Sequence, residues 1–233
     1  ITICGELDDD GQFEEAYYFP YFEGSGVTTY ADISVERKIA NEQYVGLCED
    51  SKVGISLIFT LQNGVEYMRE KKAGLTEEVQ TSVTFSGLAL SGMILLPVVK
   101  DEKQRKNAQA ASDNRRQLVN AARNGDQTAI ETLTLDDIDI YSKVSKRLRN
   151  EDVFTIVDTY FMPYGSECDR YSIMGEILAV RERVNSATGV KINQMKLNVN
   201  ELLFDVCVPA DKVMGEPEIG RRFKGNIWLQ GYI

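Results

Sequence analysis

The chain has 233 residues, enough for one or two domains, each with its own core. Its 43% hydrophobic and 27% charged composition is that of a folded globular protein. It contains no histidine, which excludes Ser-His-Asp and Cys-His catalysis, histidine–metal sites and an imidazole base, and leaves carboxylates, lysine, tyrosine or a thiolate for any chemistry.

Ile1–Leu7 alternates apolar with small or polar residues, Asp8-Asp9-Asp10-Gly11 turns the chain, and aromatic-rich Phe13–Phe22 returns, a hairpin pattern. The chain begins at Ile1 inside this first strand without an initiator Met, so it reads as a fragment whose N-terminal structure is missing. Gly24-Ser25-Gly26 is a break, and Ile33–Ile39 and Tyr44–Cys48 read as two short strands. Asp50-Ser51 can cap a helix over Val53–Lys72, with Ile55, Ile58, Phe59, Leu61, Val65 and Met68 near helical spacing; Gly64 inside it argues against this. Val79–Phe85 and Met93–Val99 read as two further strands.

Composition shifts at Lys100. Asp101–Arg123 is helix-prone but poor in large apolar residues, and Gly125 ends it. Thr134-Leu135-Asp136-Asp137 resembles a capping box that opens a second helix. Its predicted inner positions are Ile138, Ile140, Tyr141, Val144 and Leu148, and Lys143, Lys146, Arg147 and Arg149 suit its C-terminal dipole.

From Asp152 the period becomes two. Phe154–Phe161, Tyr171–Val184, Val190–Val199, Leu202–Val208 and Phe223–Ile233 read as strands, with an irregular or helical piece at Pro209–Gly220. The predicted architecture is α+β: an N-terminal antiparallel sheet with a packed helix over 1–99, a helical connector over 100–150, and a small antiparallel β-barrel of OB- or SH3-like kind over 151–233.

The formal charge of −10 is uneven. Residues 1–70 hold 14 acids and 4 bases, residues 71–170 hold 15 and 14, and residues 171–233 hold 7 and 8. An acidic face repels nucleic acid and anionic membrane unless a local patch overrides it. Cys4, Cys48, Cys168 and Cys207 are far apart, which disfavours zinc ribbons and dithiol redox motifs and predicts reduced thiols in a cytoplasmic protein. The longest apolar run, Met93–Val99, is too short to span a membrane, and no membrane association is expected.

Three motifs fail on inspection. Glu6–Gly11 imitates a calcium loop, but position one is not Asp, position twelve is Tyr17 and the flanks are strands. Gly215–Gly220 has phosphate-loop glycine spacing without the Lys-Ser/Thr pair or a following helix. Asp136, Asp137 and Asp139 fan around a helix, where the dipole accounts for them better than metal binding. No catalytic residue, metal or cofactor is predicted. One candidate binding set stands out: Arg221, Arg222 and Lys224 lead into Trp228 and Tyr232, a pairing of cations with stacking aromatics that single-strand-binding barrels use.

The segments Val53–Phe59, Glu151–Pro163 and Gly215–Gly231 resemble an uncharacterised domain-of-unknown-function family of anaerobic Gram-positive bacteria. The resemblance runs through essentially the whole chain. It implies a bacterial cytoplasmic protein and carries no activity or catalytic residues. Taken together, the readings favour a non-catalytic binding or interaction module. A nucleic-acid-associated protein using the barrel face is the alternative, and a carboxylate- or Cys168-dependent enzyme a third. An exposed Trp228 beside its three cations would favour nucleic acid; an exposed apolar patch would favour a protein partner.

Overall fold

The computed structural model of the chain describes residues 1–37, 43–49, 55–73, 81–98 and 102–233. The helix cap predicted at Asp50-Ser51, the strand start at Val79 and the strand end at Ile39 lie outside the described residues.

Strands β1 (Thr2–Leu7) and β2 (Phe13–Phe19) form the predicted antiparallel hairpin, a two-stranded sheet of their own. The acidic run between them serves the turn: Asp8 Oδ1 accepts hydrogen bonds from the backbone N–H groups of Asp10 and Gln12. Short strands β3 (Thr29–Ala31), β4 (Ile33–Arg37) and β5 (Tyr44–Glu49) follow.

The predicted helix over Val53–Lys72 is corrected to two elements, strand β6 (Ser56–Leu61) and helix α1 (Gly64–Lys72). Leu57, Phe59, Thr60 and Leu61 are all buried between β5 and a distant strand. A short apolar run buried on both faces cannot be told from a helix segment by periodicity. Gly64, an argument against a helix interior, opens the helix instead; a Cβ there would stand 2.7 Å from the Tyr44 ring.

The two strands predicted over 79–99 are one, β7 (Thr81–Leu95). Gly92, inside this strand, is a close-packing point: a Cβ there would meet the Phe223 ring at 2.3 Å.

Helix α2 (Glu102–Arg123) matches its predicted span. Helix α3 (Gln127–Arg147) starts earlier than predicted, capped by Asp126 Oδ1, which accepts from the N–H groups of Thr128 and Ala129 at 2.9 and 3.2 Å. Thr134 is helix interior, its hydroxyl donating back to the Ile130 carbonyl. The inner positions are also corrected. Of the five predicted, Val144 is half-buried, whereas Ile138, Ile140, Tyr141 and Leu148 are exposed.

The predicted strand over Phe154–Phe161 is a short helix, α4 (Val153–Ile156), and then strand β8 (Tyr160–Pro163); Asp152 caps α4 through the Phe154 N–H. Strands β9 (Arg170–Val184), β10 (Lys191–Val199) and β11 (Leu202–Pro209) form the predicted meander. A 3₁₀ turn over Ala210–Lys212 and strand β12 (Val213–Met214) precede the last strand, β13 (Arg222–Tyr232).

The main sheet is large and mixed, with strands in the order β12-β7-β11-β10-β9-β13-β6-β5-β4, while β3 joins β7 and β8 joins β9. Strand β7 runs parallel to β11 and antiparallel to β13, and β13 runs parallel to β6. The predicted division at residue 99 therefore does not separate two sheets. Strands from before α2 (β7, β6, β5 and β4) and from after α3 (β12, β11, β10, β9 and β13) share one sheet, with β7 seated between β12 and β11. Phe59, Phe85, Phe161, Tyr171, Phe204 and Phe223 lie in one hydrophobic cluster. Phe59 meets Phe85 edge-on at 5.1 Å, and Phe161 sits 4.8 Å from Tyr171.

Candidate functional site

Strand β13 carries all but one of the candidate binding residues, and its partners decide their roles. Phe223, Ile227 and Leu229 are core; Arg222, Lys224, Trp228 and Tyr232 belong to the opposite series.

Arg222 is not a surface cation. It is 5% exposed. Its Nε donates to the Leu96 carbonyl at 3.0 Å, Nη1 to Val157 at 2.8 Å and Nη2 to Phe154 at 2.7 Å. Leu96 lies just before the helical hairpin and residues 154–157 just after it, so one guanidinium ties both roots of α2–α3 to the sheet. Burial lowers its pKa, but arginine stays protonated, and the carbonyls take up the charge. Lys224 extends the same corner, with its ammonium 5.5 Å from the centroid of the Phe154 ring.

Trp228 is half-buried and engaged. Its indole N–H lies 3.0 Å from both Thr60 Oγ1 and Asp169 Oδ2; the Thr60 hydroxyl donates to the same carboxylate at 2.8 Å. The Arg170 guanidinium stands 4.7 Å from the indole ring, and Phe19 of β2 packs against it edge-on at 6.2 Å. A base stacking on the Arg170 side would first have to displace that cation.

Arg221, just before the strand, donates to the Glu216 carbonyl and pairs with Glu218 at 3.0 Å. Tyr232, at the far end, directs its hydroxyl to Glu66 of α1 at 3.4 Å, and the Glu66 charge raises its pKa. At about 3.3 Å per residue, Arg222 and Tyr232 are separated by a whole strand length. The five candidates do not converge on one groove.

Two polar clusters were not anticipated. Segment 20–26 is strapped over the sheet: Gln230 Nε2 donates to the Pro20 carbonyl, Gln62 Nε2 donates to Phe22, and the Ser25 N–H and hydroxyl both donate to Asp205 Oδ2, at 2.7 and 2.5 Å. Asp205 is buried between Phe204 and Val206 of β11. An acid inside so apolar a strand was the available signal that a donor must meet it there. At the hairpin, Ser112 and Arg116 of α2 hydrogen-bond to Glu201 in the β10–β11 turn, and Arg115 pairs with Asp137 of α3 at 2.9 Å.

The apolar surface lies elsewhere. Leu135, Ile138 and Tyr141 of α3 are 66, 59 and 76% exposed and share one side of the helix; Ile130 and Leu148 continue it at either end. Among the described residues, none covers this side. No helix among them is long and apolar enough to cross a membrane.

A family model described as "Domain of unknown function, E. rectale Gene description (DUF3881)" matches residues 1–231. The chain belongs to this family. No curated protein matches the chain, and no solved structure does. Membership of the DUF3881 family assigns no activity to any of the residues described above.

Proposed function

We propose that the chain is a non-catalytic interaction module of the bacterial cytoplasm that docks a protein partner through the outer side of α3. The observation that carries this reading is the exposed row Leu135, Ile138 and Tyr141. The sequence builds an amphipathic helix there, yet α2 covers a different side. Each large apolar side chain withdrawn from water contributes about 1.5–3 kcal/mol, so this row rewards a partner strongly. The hairpin β1–β2 offers further apolar surface in the cross-strand pairs Ile3–Tyr18 and Leu7–Phe13, all four exposed.

In this reading, the circuit of pairings β7–β11–β10–β9–β13–β7 is a small barrel of the OB- or SH3-like kind that takes in β7 from outside the predicted span 151–233, and the hairpin α2–α3 is the arm inserted into it. The free thiols Cys4, Cys168 and Cys207 suit a reducing compartment. The nucleic-acid alternative has two observations against it: the buried, carbonyl-bound Arg222 and the cation already on Trp228.

The test is a photo-cross-linking residue placed at Ile138 in the full chain in cells, with one at Thr188 as control. A discrete protein adduct from position 138 and none from 188 is expected. No adduct from 138 would sink the proposal, and saturable single-stranded oligonucleotide binding that Trp228→Ala abolishes would favour the nucleic-acid alternative.

A further inference from the structure

We infer that the occupant of the α3 surface is a second copy of this chain, with the two α3 helices packed antiparallel about a twofold axis near Ile138; this rests on the interaction-module reading above. Helix α3 and its flanks are charge-polarised. From Asp126 to Ser142 the charged residues are all acids: Asp126, Glu131, Asp136, Asp137 and Asp139. From Lys143 to Arg149 they are all bases: Lys143, Lys146, Arg147 and Arg149. The apolar row sits across the changeover. Such a helix is self-complementary in one direction only. Laid antiparallel on its copy, the acidic half meets the basic half; laid parallel, acids meet acids and bases meet bases.

The register follows from the apolar row. With Ile138 on the axis, Leu135 of one copy packs against Tyr141 of the other, as an isologous interface requires. Glu131 lies two turns before Ile138 on the same side, and Ser145 lies two turns after it with Lys146 adjacent. The axis therefore sets Glu131 beside Lys146 of the second copy, twice over. Within the chain, Asp137 is paired with Arg115 on the side facing α2, and Arg147 with Glu151, which leaves the Glu131 and Lys146 side to the copy. A stable interface buries on the order of 1,000 Å² or more in total, and one helix pair is at the small end, so association in the micromolar range is expected.

Sedimentation equilibrium of the full chain, in low and in high sodium chloride, tests the assignment. A monomer–dimer equilibrium is expected, with a dissociation constant that rises about threefold or more with salt, because screening removes the attraction between halves. Ile138→Glu places two carboxylates together on the axis and should raise the dissociation constant at least roughly tenfold. Tyr141→Lys is the second variant, and thermal melts show that both fold. Dimerisation that strengthens with salt would overturn the antiparallel arrangement, and dimers undiminished by Ile138→Glu would place the interface elsewhere. A chain that stays monomeric to about 100 µM would exclude the second copy. The docking surface itself would survive that outcome, since it fails only if position 138 yields no protein adduct at all.

Discussion

Neighbouring arginines at the start of β13 should behave as opposites. Arg222 makes three well-formed hydrogen bonds to backbone carbonyls on both sides of the helical insertion, while Arg221 is solvated and paired with Glu218. A hydrogen bond to a charged group contributes about 1.5–3 kcal/mol, so the gross value of three is about 5–9 kcal/mol, which the cost of desolvating the guanidinium reduces. Arg222→Met also leaves buried carbonyls unpaired, at about 1–3 kcal/mol each where water cannot reach them. The net expectation is about 3–5 kcal/mol of destabilisation, or roughly 10 °C in melting temperature for a chain of this size. Arg222→Lys should recover only part of it, because a single ammonium cannot span carbonyls on two sides as the planar fork does. Arg221→Met should cost under about 0.5 kcal/mol. Urea unfolding followed by circular dichroism measures all three, and limited proteolysis locates any loosening. The Arg222 variants should be cut first near Leu96–Pro97 or residues 149–158. An Arg222→Met protein within about 0.5 kcal/mol of the parent would refute the clamp.

Tyr171, whose hydroxyl donates to the Ile58 carbonyl and accepts from the Ile58 N–H, is pushed from an ordinary 10.0 up to about 12, chiefly by burial. Its folded value is the higher one, so its contribution is complete below pH 10 and is lost as the pH climbs towards 12, by at most about 2–3 kcal/mol. Tyr171→Phe should flatten that alkaline loss in denaturation curves, and an unchanged slope would assign it to another group. Asp205→Ala removes the acceptor of both Ser25 bonds and should cost about 1–3 kcal/mol while exposing the chain near Gly24–Gly26 to proteases; unaltered cleavage there would show that the strap is held by other contacts. Alkylation of the native chain at about pH 8 should reach exposed Cys168 first. Buried Cys48, and Cys207, raised to about 11 by burial, should react only after unfolding; early labelling of Cys207 would contradict the packing of β11.

The local elements whose signals are themselves local were legible in the sequence. The β1–β2 hairpin, the span of α2 and the meander β9–β10–β11 follow from a turn, an alanine-rich stretch and strict alternation, each readable within a short window. The family, too, shows in the segments that resemble it. What the sequence could not supply was pairing at long range. Helix and buried strand look alike over Ser56–Leu61 until β13 arrives beside it, more than 160 residues later. That residues 86–92 continue β7, with Gly92 against the Phe223 ring, shows only once β13 lies beside them. The candidate cations and aromatics on β13 share a pattern but not a surface, because the elements above the strand differ along its length. Carbonyls of residues 96 and 154–157 meet Arg222, Asp169 and Arg170 meet Trp228, and α1 meets Tyr232. Helix α3 is the converse case. Its amphipathic period marks Ile138, Ile140, Tyr141, Val144 and Leu148 as inner positions, yet all but Val144 are exposed. A period specifies only that a helix has an apolar side; which side this chain covers itself depends on where α2 lies, a property of the tertiary structure alone.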